Sequence, residues 1–195
     1  MTRADQASTD PEAVVAAALA GEPGAWERLV ELWSRRVYAA ARSRLHDPEA
    51  AEEVTQAVMV TVYEHISTGR YTHTGQFESW LFRIAMNRVR DVIRKNRRRR
   101  EVTLGRPIAD EPERAPSGEN ARTDALRRAI ATLPEADQEV LSLRHHAQLG
   151  FAAIAEMLGQ PVGTVLARHH RAIAKLKSIM EPTGSELEVH RARHA

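Results

Sequence analysis

The sequence contains no cysteine, and aromatic residues make up only 5% of its 195 positions. Without cysteine the chain can form neither a disulfide nor a thiolate metal site, which fits a reducing compartment such as the cytoplasm. No apolar run approaches the roughly 20 residues that cross a membrane. Residues 1–10 are polar and lack the apolar segment of a signal peptide. We therefore expect a cytoplasmic protein without membrane insertion.

Alternation of polar and apolar residues, which is typical of strands, is also missing from the sequence. Apolar side chains instead recur at spacings of three and four, which predicts helices. The fold class we predict is all-α, with two small helical domains joined by a flexible linker. The predicted division is an N-terminal extension with a short helix (1–23), a first domain (24–100), a proline-rich linker (101–122), a helix-turn-helix domain (123–180) and a tail (181–195).

The last helix of the first domain carries a strong excess of positive charge. Residues 83–100 include nine basic side chains and one acidic one, Asp91, whereas the net charge of the whole chain is only +2. Leu81, Ala85 and Val89 recur inside this stretch at helical spacing, so one face is predicted to be buried and the other cationic. A solvated surface helix usually mixes both signs of charge, so this face predicts nucleic-acid binding.

The predicted second domain contains two short helices joined by a tight turn at 159–163, the pattern of a helix-turn-helix. Ala155 is small enough for a close helix crossing, Gly159 suits a positive φ angle, and Thr164 can cap or begin the second helix. In that helix we expect Val162, Val165, Ala172, Ile173 and Leu176 to face the core. The expected outward face offers Arg168, His170, Arg171, Lys175 and Lys177 to DNA.

Several segments, in this order and spacing, resemble extracytoplasmic-function sigma factors, a group within the sigma-70 family of RNA polymerase subunits. Those in the first domain are residues 51–59, 77–87 and 91–94. Those in the second are residues 126–134, 154–159 and 163–165, together with Arg168, Arg171 and Ala172. The resemblance implies an all-α protein that directs core RNA polymerase to promoters, and an anti-sigma protein is a further partner that it allows.

The resemblance also implies roles for individual residues. The helix carrying Glu53 and Gln56 would dock on core polymerase, and the loop 67–77 would take a base flipped from the non-template strand of the −10 element. The residues implied for −10 recognition and melting are Tyr71, His73, Gln76, Trp80, Asn87, Arg88, Arg90, Arg94 and Lys95. Those implied for reading the duplex −35 element are Thr164, Leu166, Arg168, His170, Arg171 and Lys175. A core role for Trp80 stays open.

The sequence departs from the family pattern at the start of the second helix of the helix-turn-helix. Leu166 and Ala167 stand where a basic or small polar residue is common, and His169 stands at a usually apolar position. These departures leave the −35 sequence preference open. A stand-alone helix-turn-helix regulator is the alternative function, but it would leave the first domain without a task.

A metalloenzyme is a second alternative, suggested by the neighbouring pairs His145-His146 and His169-His170. Adjacent residues on a helix point about 100° apart, so neither pair forms a ligand set unaided. No catalytic nucleophile with its base and no glycine-rich phosphate loop is apparent either. We therefore predict no catalytic residues, no metal and no cofactor, and expect the chain to act by binding.

Overall fold

The computed structural model describes residues 10–104 and 121–181, and in these ranges the chain forms helices and no strands. The predicted all-α fold class is confirmed. None of the helices in the described ranges is long and apolar enough to cross a membrane. The helices are α1 (Pro11–Leu19), α2 (Ala25–Leu45), α3 (Pro48–Ser67), α4 (Phe77–Leu104), α5 (Ala121–Ala131), α6 (Glu135–His145), α7 (Phe151–Leu158) and α8 (Val162–Met180).

Two helices begin with the same local arrangement, an aspartate followed by a proline. The Asp10 carboxylate accepts a hydrogen bond from the backbone N–H of Glu12 at 3.2 Å, and Asp47 accepts one from Glu49 at 3.1 Å. Each proline occupies the first helical position, where its missing N–H would have had no partner inside the helix. These caps fix the start of α1 and α3 from local sequence alone.

The apolar stripes of α2, α3 and α4 face one another, as the spacing predicted. Trp33, Val58 and Leu81 are almost completely buried, and the Trp33 and Phe77 rings meet edge to face with their centroids 4.9 Å apart. Helix α1 adds Val14 and Val15, which are also buried. The N-terminal helices therefore form one packed unit that orients the basic helix α4.

Helices α5 to α8 contain the predicted helix-turn-helix. Gly159 ends α7 with a φ angle of 62°, a left-handed conformation that glycine adopts without strain. Two expectations about α8 are wrong. The helix begins at Val162 after Pro161, so Thr164 lies inside its first turn and does not cap it. Val162 is 43% exposed, because it precedes the point where α8 meets its neighbours, whereas Val165 is buried.

The N-terminal and C-terminal helices also pack against each other. Leu143, Leu149 and Ile154 are fully buried in the same hydrophobic cluster as Trp33 and Phe82. Polar contacts surround this cluster. The Ser43 and Ser142 hydroxyls lie 2.7 Å apart, and Ser142 also donates to the Ala40 carbonyl at 3.2 Å. The periodicity of the sequence did not predict this contact, which joins α2 and α4 to α6 and α7.

A shared core predicts cooperative unfolding of both groups of helices. Ile154→Ala should lower the free energy of unfolding by about 2–5 kcal/mol, because it removes buried methylene groups and leaves a cavity. All three tryptophans, Trp26, Trp33 and Trp80, lie in the N-terminal helices. Their fluorescence and the far-ultraviolet circular dichroism should therefore shift together in denaturant titrations.

The control is Val162→Ala, which changes an exposed residue of the same C-terminal helices and should alter the free energy of unfolding by no more than about 0.5 kcal/mol. If Ile154→Ala shifted the transition measured by circular dichroism but not the transition measured by tryptophan fluorescence, the two groups of helices would unfold independently.

Candidate nucleic-acid interface

The outer face of α4 is the most basic surface of the described chain. Arg83, Arg88 and Lys95 are exposed, as is the amide of Asn87. The opposite face is buried through Leu81, Ala85 and Val89. The helix therefore has the two faces that the sequence predicted, one apolar and one suited to phosphate groups.

Some of the basic residues of α4 already have carboxylate partners. Arg90 donates to the Glu139 carboxylate of α6 at 2.5 Å and to the Asn87 amide oxygen at 2.7 Å. Arg94 pairs with Asp91, one turn earlier on the same helix. A phosphate that binds Arg90 would share the guanidinium with the Glu139 carboxylate, because the side chain is 39% exposed and has further N–H donors. Binding at that site is therefore coupled to the contact between α4 and α6.

The loop before α4 places its predicted residues on two different sides. Tyr71 is only 8% exposed and lies among Phe77 and Trp80, with ring centroids at 5.6 and 4.4 Å. Burial raises the pKa of the Tyr71 hydroxyl, and Glu12 raises it further. His73 is partly buried, whereas Gln76 is exposed. The structure therefore brings Tyr71 into contact with His73 and Trp80 on the buried side of the loop and leaves Gln76 on its exposed side.

The outward face of α8 carries Thr164, His170, Arg171 and Lys175, all of them exposed. Leu166 is half-buried beside them. The expectation that Arg168 belongs to this outward face is wrong. Its guanidinium points toward Asp137 of α6 at 3.6 Å, and its side chain is 28% exposed. Position 168 lies about 60° around the helix from the buried Val165, at the border of the buried face, and its long side chain reaches Asp137 there.

Two histidines, His145 of α6 and His169 of α8, meet where these two helices pack together. The Nε2 atoms of His145 and His169 lie 3.0 Å apart, with the ring centroids 5.2 Å apart. A ring centroid lies about 1.15 Å from its nitrogen, so these distances place the two nitrogens almost directly between the centroids. That is the geometry of an N–H···N hydrogen bond rather than of two ligands converging on one ion. Among the described residues, no group of three or more potential ligands could hold a metal.

The outer face of α3 contains Glu53 and Gln56, both of them exposed. Val60 and Tyr63 lie along the same face and are 56% and 52% exposed. The Trp26 ring meets Tyr63 edge to face at 5.1 Å and supports it from below. We did not predict these two residues from the sequence. The available signal was that both positions fall outside the stripe of α3 that Val54, Val58 and Val62 define.

Comparison with known proteins gives two consecutive family matches. Residues 29–99 match the model described as Sigma-70 region 2, and residues 123–176 match Sigma-70, region 4. Helix α1 precedes the first match, and the basic helix α4 falls almost entirely within it. The second match covers α6, α7 and most of α5 and α8.

Two relatives show the same similarity over most of the chain. The chain is 32% identical over 182 residues to the ECF RNA polymerase sigma factor BldN of Streptomyces coelicolor, covering 91% of this chain and 68% of the relative. It is 33% identical over 131 residues to the ECF RNA polymerase sigma factor RpoE of Cereibacter sphaeroides, covering 67% of this chain and 72% of that relative.

A solved structure shares the fold. It is the sigma factor RpoE of Bartonella quintana, solved in complex with the anti-sigma factor NepR. The TM-score is 0.65 at 18% sequence identity, over 80% of this chain and 97% of the other. At that identity the likeness concerns the arrangement of the helices.

The histidine pair predicts a dependence of stability on pH. Burial lowers the pKa of His169 from its ordinary 6.5, and His145, His170 and Arg144 lower it further. The unfolded chain then binds a proton more readily than the folded chain, so the free energy of unfolding should decrease as pH falls below about 6.5. Burial lowers the pKa of His46 and His146 in the same direction.

Urea titrations between pH 5 and 8 would measure this dependence. His169→Gln removes one of the contributing groups, so the decrease below pH 6.5 should be smaller in this variant than in the wild type. An equal decrease in both proteins would contradict the assignment to His169.

Proposed function

The chain belongs to the sigma-70 family as an extracytoplasmic-function RNA polymerase sigma factor, and on this premise we propose how its surfaces divide the work of initiation. The proposal depends above all on one observation. The chain carries two separate cationic helical surfaces, on α4 and on α8, each backed by a buried apolar face. A protein that contacts two promoter elements needs two such surfaces.

The loop 68–76 and the outer face of α4 would bind the −10 element and hold its opened strand. The exposed Gln76 and the neighbouring Thr72 and Thr74 offer donors and acceptors to a flipped base. Arg88 and Lys95 would bind the adjacent phosphates, with Asn87, Arg90 and Arg94 beside them. Trp80 is half-buried and contacts Tyr71, so it would support the loop from beneath.

Helix α8 would lie in the major groove of the duplex −35 element. The exposed Arg171 and Lys175 suit phosphate oxygens and guanine edges, and Thr164 lies on the same face. His170 is also exposed, about 100° around the helix from Arg171. Ala167 is exposed there as well, and its small side chain allows the helix backbone to approach the bases closely. Arg168 would act indirectly, by fastening α8 to Asp137.

The outer face of α3 would dock on core polymerase. Glu53 and Gln56 supply polar groups, and Val60 and Tyr63 add an apolar centre, an arrangement common in protein interfaces. The chain would act in the cytoplasm by binding alone, and RNA synthesis would belong to the polymerase. An anti-sigma protein is a further partner we propose, supported by family membership. A stand-alone regulator is disfavoured, since it would give α3 and α4 no role.

The central test is transcription by core polymerase from a library of random promoters. The full chain should direct initiation from a related subset of templates, whereas core polymerase alone should not. Glu53→Lys combined with Tyr63→Ala should raise the Kd for core polymerase roughly ten-fold, because it removes both the polar and the apolar contacts. Glu181→Lys, a charge-matched change at the end of α8, should leave that Kd unaltered. No initiation from any template would overturn the proposed function.

The role of α8 is tested by Arg171→Ala. This change should weaken binding to the −35 duplex by about 1–3 kcal/mol if Arg171 contacts a base. If Arg171 contacts a phosphate, the slope of the logarithm of the binding constant against the logarithm of the salt concentration should become smaller by about one. Polymerase affinity should be unchanged. Lys177→Ala is the matched control. The expectation that Lys177 belongs to the outward face is wrong, because its exposed side chain lines the cavity between α5 and α8. Equal loss in both variants would show that only net charge matters.

A further inference from the structure

We infer that Glu12, on the N-terminal helix α1, is a positioning residue for the promoter loop 68–76. It holds His73, and through His73 it holds Tyr71, in the conformation in which the loop meets the −10 strand. The inference rests on the proposed function, since it takes this loop as the part that reads the promoter. It also assigns a task to a helix that lies outside the residues matching either family model.

Helix α1 is firmly attached to the N-terminal helices. Asp10 caps it, Pro11 begins it, and Val14 and Val15 are 2% and 1% exposed. Glu12 precedes Val15 by three residues, so it projects from nearly the same side of the helix as this anchor. Its backbone position is therefore fixed by burial, although its side chain is 56% exposed.

A chain of polar contacts leads from Glu12 into the loop. The Glu12 carboxylate lies 2.9 Å from Nε2 of His73, and Nδ1 of His73 lies 3.3 Å from the Tyr71 hydroxyl. An ionised carboxylate only accepts hydrogen bonds, so Nε2 must carry a proton. In the neutral ring Nδ1 then accepts a hydrogen bond from Tyr71. Glu12 thereby selects the His73 tautomer and directs the Tyr71 hydroxyl proton.

This chain of contacts shapes the surface that meets DNA. Tyr71 is packed against Trp80 and Phe77, and His73 is partly buried. The residues between and after them, Thr72 and Thr74, are exposed. Fixing Tyr71 and His73 from behind therefore fixes where the exposed side chains point. Glu12 need not touch a base to influence which base the loop accepts.

The first test uses the full chain with core polymerase and a library randomised over the −10 element. Glu12→Gln should reduce the preference at the base read by the loop by about two- to five-fold, the range expected for one partly exposed contact of a charged side chain. Polymerase affinity and −35 duplex binding should be unchanged. Glu22→Gln is the matched control, because Glu22 is an exposed glutamate in the turn between α1 and α2. An unchanged −10 preference in Glu12→Gln would overturn the inference.

A double-mutant cycle tests whether Glu12 acts through His73. Once His73→Gln is present, Glu12→Gln should have no further effect on the −10 preference. If Glu12→Gln changed the preference as strongly without His73 as with it, a route through His73 would be refuted. Thermal unfolding of each variant distinguishes a change in base preference from a loss of folded protein.

The tautomer of His73 provides a measurement independent of transcription. At pH 8, long-range proton–nitrogen spectra of the free chain should show His73 protonated at Nε2 and unprotonated at Nδ1, with the signal assigned by His73→Gln. Glu12→Gln should introduce the second tautomer. A wild-type ring protonated at Nδ1 would overturn the inference even if initiation succeeds. The expected tautomer together with failed initiation would instead count against the proposed function.

Discussion

The packing of the two groups of helices depends on how two arginines of α2 are accommodated at their contact. Arg36 donates from Nε to the Ala147 carbonyl at 2.9 Å, pairs with Glu78 of α4 and lies over the Phe82 ring. The Arg44 side chain is only 7% exposed and is paired with Gln138 and Glu135 of α6. Burial lowers the pKa of Arg44, and Glu135 and Glu139 oppose that effect. A cation removed from water requires such partners, so α2 can pack here only if α4 and α6 supply them.

The same requirement determines which basic residues remain available for DNA. Carboxylates concentrate where α6 and α7 meet the N-terminal helices: Glu139 pairs with Arg90, and Glu156 accepts a hydrogen bond from the Ser79 hydroxyl at 3.4 Å. Farther along α4, Arg88 and Lys95 point outward from the helix. Under the proposed function Glu139 and a promoter phosphate would share the Arg90 guanidinium. The two anions would repel each other, so phosphate binding at this residue would weaken the pairing of Arg90 with Glu139.

The sequence predicted what depends on neighbours within one or two helical turns. The buried stripe of α4 and the left-handed Gly159 were predicted from local patterns, and the structure confirms them. The caps at Asp10 and Asp47 depend on local sequence in the same way. Contacts between distant residues were not accessible in this way. Arg36 and Ala147 are separated by 111 positions, and no periodicity records such a pairing. The inward direction of Arg168 was missed for a different reason. Positive charge was taken to mean exposure, but position 168 lies at the border of the buried face, and the partner that draws its side chain inward is Asp137 of α6.

Under the proposed function, the burial of Tyr71 limits how the loop can capture a base. Unstacking a base costs a few kcal/mol, and stacking on an exposed aromatic ring is the usual way to recover it. Here Tyr71 and Phe77 pack edge to face, and both rings also contact Trp80, whose own ring meets His65 at 5.6 Å. Hydrogen bonds from Thr72, Thr74 and Gln76 contribute only about 0.5–1.5 kcal/mol each. Such bonds can offset the cost only if several form together, which requires a loop held in one conformation. Phosphate contacts along α4 would supply the rest of the free energy that holds the opened strand. Base selection by the loop and retention of the strand by α4 would then depend on adjacent parts of one packed unit.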